Sequence, residues 1–151
     1  MKLAEALSIR KDLQKRVEQI KARLLNSVKT QEGDEPAEQP AELFTELDDS
    51  LARLETLVFY INKTNMETGI DGRTLTELLA QRDMFTTKIN VLRSVFDKAT
   101  ETQDRYSRTE IKLVTNVDVK QLGKQIDKLA KKLRELDYKI QSANFTTELA
   151  E

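Results

Sequence analysis

Apolar residues recur along this chain in steps of three and four, in four separate stretches. The first runs Leu3, Ala6, Leu13, Val17, Ile20, Leu24, with Arg10 in phase. The second runs Leu47, Leu51, Leu54, Val58, Ile61. The third runs Leu75, Leu78, Phe85, Ile89, Leu92, Phe96, with Arg82 in phase. The fourth runs Leu122, Ile126, Leu129, Leu133, Leu136, Ile140. Alternating steps of three and four place each set on one face of a helix, the pattern of a seam that meets another helix by knobs-into-holes packing. Leu7, Leu25, Leu57, Leu79 and Val95 lie beside the seams and widen them toward the stripe of a bundle helix. The pattern predicts helices over about 2–28, 41–64, 74–101 and 119–143. The near-equal lengths predict an all-α, antiparallel four-helix bundle of long, coiled-coil-like helices in a single domain, 1–151.

Helix ends are marked by residues that satisfy free backbone groups. Pro40 stands where the second helix begins, and Glu42 and Glu46 follow near its positive end. Thr74 with Glu77, and Asp118 with Gln121, have the spacing of capping boxes for the third and fourth helices. Between the first two helices, residues 29–40 are polar, acidic and interrupted by Gly33, Pro36 and Pro40, the makings of a flexible loop. Residues 65–73 contain Asp71-Gly72, a strong turn signal. The last connection is longer and contains Ile111, Leu113, Val114 and Val117. These predict a short extended segment near 110–117 that needs a β partner, either the 65–73 loop or the same strand in a second subunit.

Charge adds a second pattern. Residues 1–31 hold eight basic and three acidic groups, residues 32–56 hold nine acidic groups and one basic, and residues 105–139 hold ten basic and five acidic. Basic segments on either side of an acidic one suit the packing of oppositely charged neighbours, within one chain or between copies. The near-neutral total, −1, argues against general nucleic-acid binding. Lysines of the last helix have no aromatic residues interleaved for base stacking, so no nucleic-acid partner is expected. A membrane partner is not expected either, because the longest apolar run, Leu57-Val58-Phe59-Tyr60-Ile61, is far short of the ~20 residues that span a bilayer. Met1-Lys2-Leu3-Ala4-Glu5 meets charge too early for a secretory leader, so a cytoplasmic location is expected.

Chemistry is sparse. There is no Cys and no His, which removes thiol chemistry, thiolate metal sites, the commonest general base and the Glu-x-x-His pairs of a di-metal bundle. No catalytic residue, metal site or cofactor is expected. The densest group of functional side chains is Arg105, Tyr106, Ser107 and Arg108, where two guanidiniums beside two hydroxyls could hold a phosphate or carboxylate. The same residues could instead pair with Asp104, Glu110 or a neighbouring helix. Asn62 and Asn65 fall on the seam phase near the end of the second helix, as capping or registry residues or as part of a site.

Several motifs, in order along nearly the whole chain, resemble a family of short bacterial helical proteins of unknown function, some of which go under the name septicolysin. They are Lys2-Leu3-Ala4-Glu5-Ala6-Leu7, Gln31-Glu32-Gly33-Asp34-Glu35-Pro36, Ile61-Asn62-Lys63-Thr64-Asn65, Asp71-Gly72-Arg73-Thr74-Leu75-Thr76, Gln103-Asp104-Arg105-Tyr106-Ser107-Arg108 and Ser142-Ala143-Asn144-Phe145-Thr146-Thr147-Glu148-Leu149. Where the family more often has Trp, this chain has Phe145, expected to preserve an aromatic plug. The family name implies a membrane-active, cytolytic protein. The matched loops direct a candidate binding site to Asn62, Asn65 and Arg73 with Arg105, Tyr106, Ser107 and Arg108. The residues themselves favour a non-enzymatic helical interaction or scaffold protein. It would be homo-oligomeric through the helical seams or the 110–117 segment. A membrane-active protein and a binder of a small anionic ligand are the alternatives.

Overall fold

The computed structural model describes residues 1–102 and 111–151. Four helices form where the apolar periodicity places them: α1 (Leu3–Ser27), α2 (Pro40–Glu67), α3 (Leu75–Thr100) and α4 (Val119–Thr146). Two short antiparallel strands, β1 (Gly69–Ile70) and β2 (Arg73–Thr74), join α2 to α3, with Gly69 opposite Thr74 and Ile70 opposite Arg73. Asp71 and Gly72 both take positive φ, 52° and 79°, as the tight hairpin turn requires. Among the described residues the strand pair lies at 69–74, and residues 111–118 form no strand. The two-residue Asp-Gly turn lets the flanking residues pair with each other, and Ile111, Leu113 and Val114 are exposed.

The chain forms two compact units, residues 1–75 with 143–151, and residues 76–142. In the first, Leu3, Ala6, Leu13, Ile20 and Leu24 of α1 are buried as expected. On α2 the buried line is Leu43, Ser50, Leu57, Ile61 and Thr64, with Leu47 packed against Ile20, Leu24 and Leu43. The line keeps Leu47 and Ile61 of the expected one and departs from it where Ser50 and Leu57 are buried and Leu51 is exposed. Two of its members are polar. The Ser50 hydroxyl donates to the Glu46 carbonyl and the Thr64 hydroxyl to the Tyr60 carbonyl, each at 2.7 Å, so both sit inside with their hydrogen bonds satisfied.

Opposite charges meet across α1 and α2. Arg23 holds Glu38 at 2.6 Å and Glu46 at 3.3 Å, and Arg16 holds Glu46 at 3.0 Å. The acidic connection is thereby tied to α1, and Asp34 N–H closes a turn onto the Gln31 carbonyl within it. Hydrogen bonds from Arg23 hold the Glu38 carboxyl below its ordinary range, and those from Arg16 and then Arg23 do the same for Glu46.

In the second unit, Leu78 and Ile89 of α3 and Leu122, Leu136 and Ile140 of α4 are buried. Arg82, expected as a charged interruption in the seam, is half-buried and reaches Asp83 at 3.7 Å and Asp137 of α4 at 3.6 Å. Asp118 caps α4 by accepting the Gln121 N–H at 3.0 Å.

Because the folded state depresses Glu38 and Glu46, their stabilising contribution is complete above the unfolded carboxylate value of about 4.3 and is lost as pH falls through the lower folded value. Arg23→Gln should therefore lower the melting temperature at neutral pH. Its deficit against wild type should shrink in acid; a deficit that is constant or grows below that range would contradict the pairing.

Candidate functional site

The sequence-derived site is brought together only in part. Asn62 is exposed and Asn65 half-buried in the last turns of α2, and Arg73 is exposed on β2. Neither asparagine lies on the seam, which passes one residue earlier through Ile61 and Thr64. Arg105, Tyr106, Ser107 and Arg108 lie outside the described residues. Among the described residues, no group of three or more carboxylates is placed to hold a metal ion.

Around Thr64 the structure instead builds a clasp. Leu3 N–H donates to the Thr147 carbonyl and Leu149 N–H to the Met1 carbonyl, each at 2.9 Å, so residues 1–3 and 147–149 pair as short antiparallel backbone. The Lys2 ammonium lies on Glu148 and also donates to the Thr146 carbonyl at 3.2 Å. Its hydrogen bond pulls the Glu148 carboxyl below its ordinary range. One residue further on, Ala150 N–H donates to the Thr64 hydroxyl at 2.9 Å. That hydroxyl therefore accepts from the tail while donating to the Tyr60 carbonyl, which joins the 147–150 segment to α2. Thr68, at the end of α2, donates its N–H to the Thr64 carbonyl at 2.9 Å and accepts the Leu75 N–H at 2.8 Å. Leu3, Ile61, Leu75, Ala143 and Leu149 are buried in this unit. Phe145 is not the expected plug: it is 68% exposed, because Ala143 and Asn144 take the inward positions of that helical turn.

Beside the clasp lies a depression of about 460 Å³ whose lining includes Ile9, Leu13, Leu57, Tyr60 and Leu149, with Arg53 at its edge. Further along α2, the face turned away from the seam carries a stripe that the sequence reading missed. Phe44, Leu51, Phe59 and Met66 are 52%, 42%, 63% and 60% exposed. Their spacing of seven, eight and seven residues is the signal in the sequence, hidden because Leu51 also fits the phase of the expected seam.

Residues 10–149 match a family described as a family of unknown function (DUF6847). No curated protein matches the chain. A crystal structure of a functionally unknown conserved protein from Corynebacterium diphtheriae is 43% identical over 99% of both chains, with a TM-score of 0.93.

The tail's hydrogen bond to α2 runs through the Thr64 hydroxyl, so Thr64→Val should cost about 1–3 kcal/mol in a denaturant melt, since it strands the Ala150 donor. Amide exchange at Leu149 and Ala150 should quicken in the same variant. Unchanged exchange there would show that the tail docks without Thr64.

Proposed function

The chain belongs to that family of unknown function, DUF6847, and from this premise we propose that it is a non-enzymatic helical interaction protein that associates with further copies of itself. The observation that carries the reading is the stripe of Phe44, Leu51, Phe59 and Met66, four large apolar side chains left in contact with water on one face of α2. Scattered apolar residues on a surface need no explanation, but an aligned row about 33 Å long, at 1.5 Å per residue, resembles a docking edge. Burying such side chains contributes about 1.5–3 kcal/mol each, enough in sum to offset part of the association entropy. Like the expected seams, the stripe is helical, so its natural complement is a second helix.

The resemblance noted in the sequence carries the alternative of a membrane-active protein. No helix among the described residues is long and apolar enough to cross a membrane.

Light scattering from micromolar to millimolar protein should give a mass that rises with concentration above the 17.4 kDa of one chain. Phe59→Asp should keep the helical circular-dichroism signal and return the mass to one chain. A wild-type mass of one chain throughout that range would overturn the reading.

A further inference from the structure

The α2 stripe is not purely apolar. At about 100° per residue, Phe44, Leu51, Phe59 and Met66 share an arc of about 80° with Asp48 and Glu55. Asp48 falls four residues after Phe44, and Glu55 four after Leu51, so carboxylates alternate with apolar side chains along the face.

A second exposed stripe lies on α3, and its end at Val95 and Lys98 borders a depression also lined by Leu113, Val114 and Val117. Met84, Val91 and Val95 are 64%, 56% and 38% exposed. They share an arc of about 80° with Lys88 and Lys98, at steps of four and three. This stripe is about 21 Å long. Lys98 reaches Glu101 at 2.8 Å, but its side chain is 83% exposed, and a surface pair of this kind contributes little. Asp48, Glu55 and Lys88 enter no ion pair among the described residues.

We infer that the occupant of the α2 stripe is the α3 stripe of a second copy of this chain. The inference rests on the self-association proposed above and names the faces that meet. Both stripes have the three-and-four spacing of a helix seam, and their charges are opposite in sign. Pairing α2 with α2 would set Asp48 and Glu55 against their own copies, and pairing α3 with α3 would do the same for Lys88 and Lys98. Like charges facing across an interface are strongly disfavoured, so the complementary pairing prevails. A contact between different faces is heterologous, so each copy retains a free face of each kind, and assembly proceeds head to tail into a ring or a filament.

Charge reversal tests the pairing. One chain carries Asp48→Lys with Glu55→Lys, a second carries Lys88→Glu with Lys98→Glu, and a third carries all four changes. All four sites are exposed, so the helical circular-dichroism signal should be kept in each. Either double variant alone should dissociate, its self-association constant weakened about 100-fold. Mixing the two double variants should restore assembly, because each reversed face then meets its reversed complement, which also shows that both are folded. The quadruple variant should assemble alone. If the Lys88→Glu/Lys98→Glu chain assembles like wild type, or the quadruple variant stays monomeric, the pairing is wrong while self-association stands. A monomeric wild type would overturn both.

Discussion

The burial of one line of side chains on α2 sets most of what this molecule presents. Leu43, Leu47, Ser50, Leu54, Leu57, Ile61 and Thr64 succeed one another by fours and threes, with Leu43, Ser50, Leu57, Ile61 and Thr64 buried. A lone helix is marginal in water, so packing of such a line against α1 must supply the stability. Ser50 and Thr64 enter the line at little cost because each bonds a carbonyl one turn back. Once the helix is rotated to bury these residues, Phe44, Leu51, Phe59 and Met66 are committed to the outside. The outer stripe is therefore a consequence of the seam and not an accident of composition.

Charge works alongside burial in the first unit. Basic α1 and acidic α2 meet through Arg16, Arg23, Glu38 and Glu46. These groups are partly exposed, so their contribution is to orientation and register more than to stability. The same residues fix the otherwise polar 28–39 connection, since Glu38 belongs to it. Thr64 has a comparable double role. Its side chain occupies the seam, and its hydroxyl also receives the tail that pairs with residues 1–3.

Much of this fold is legible in the sequence. The helix ends fall within about three residues of the positions set by apolar spacing, Pro40, Asp118 and the Asp71-Gly72 turn, because those residues act locally. The meeting of the basic first segment with the acidic second was also readable from charge alone. The phase of α2 was not, since hydrophobicity does not reveal that a serine and a threonine can be inside while a leucine beside them is out. The β-like composition of residues 111–117 does not make them a strand, because the strand pair forms where the Asp71-Gly72 turn brings neighbouring backbone together. Phe145 faces outward because its smaller neighbours fit the interior. The candidate site was the least legible part. Asn62, Asn65 and Arg73 share the clasp end of the first unit, but Arg105, Tyr106, Ser107 and Arg108 lie outside the described residues.

The central claim is that α2 has a structural face and an outer face only two residues apart in sequence. Denaturant unfolding of Ile61→Ala and Phe59→Ala, at protein concentrations low enough to keep the chain monomeric, tests it most directly. Ile61→Ala should cost about 2–5 kcal/mol, and Phe59→Ala no more than about 0.5 kcal/mol. Equal losses, or a larger loss at Phe59, would mean that the helix is rotated from the orientation described and that the outer stripe belongs to the core.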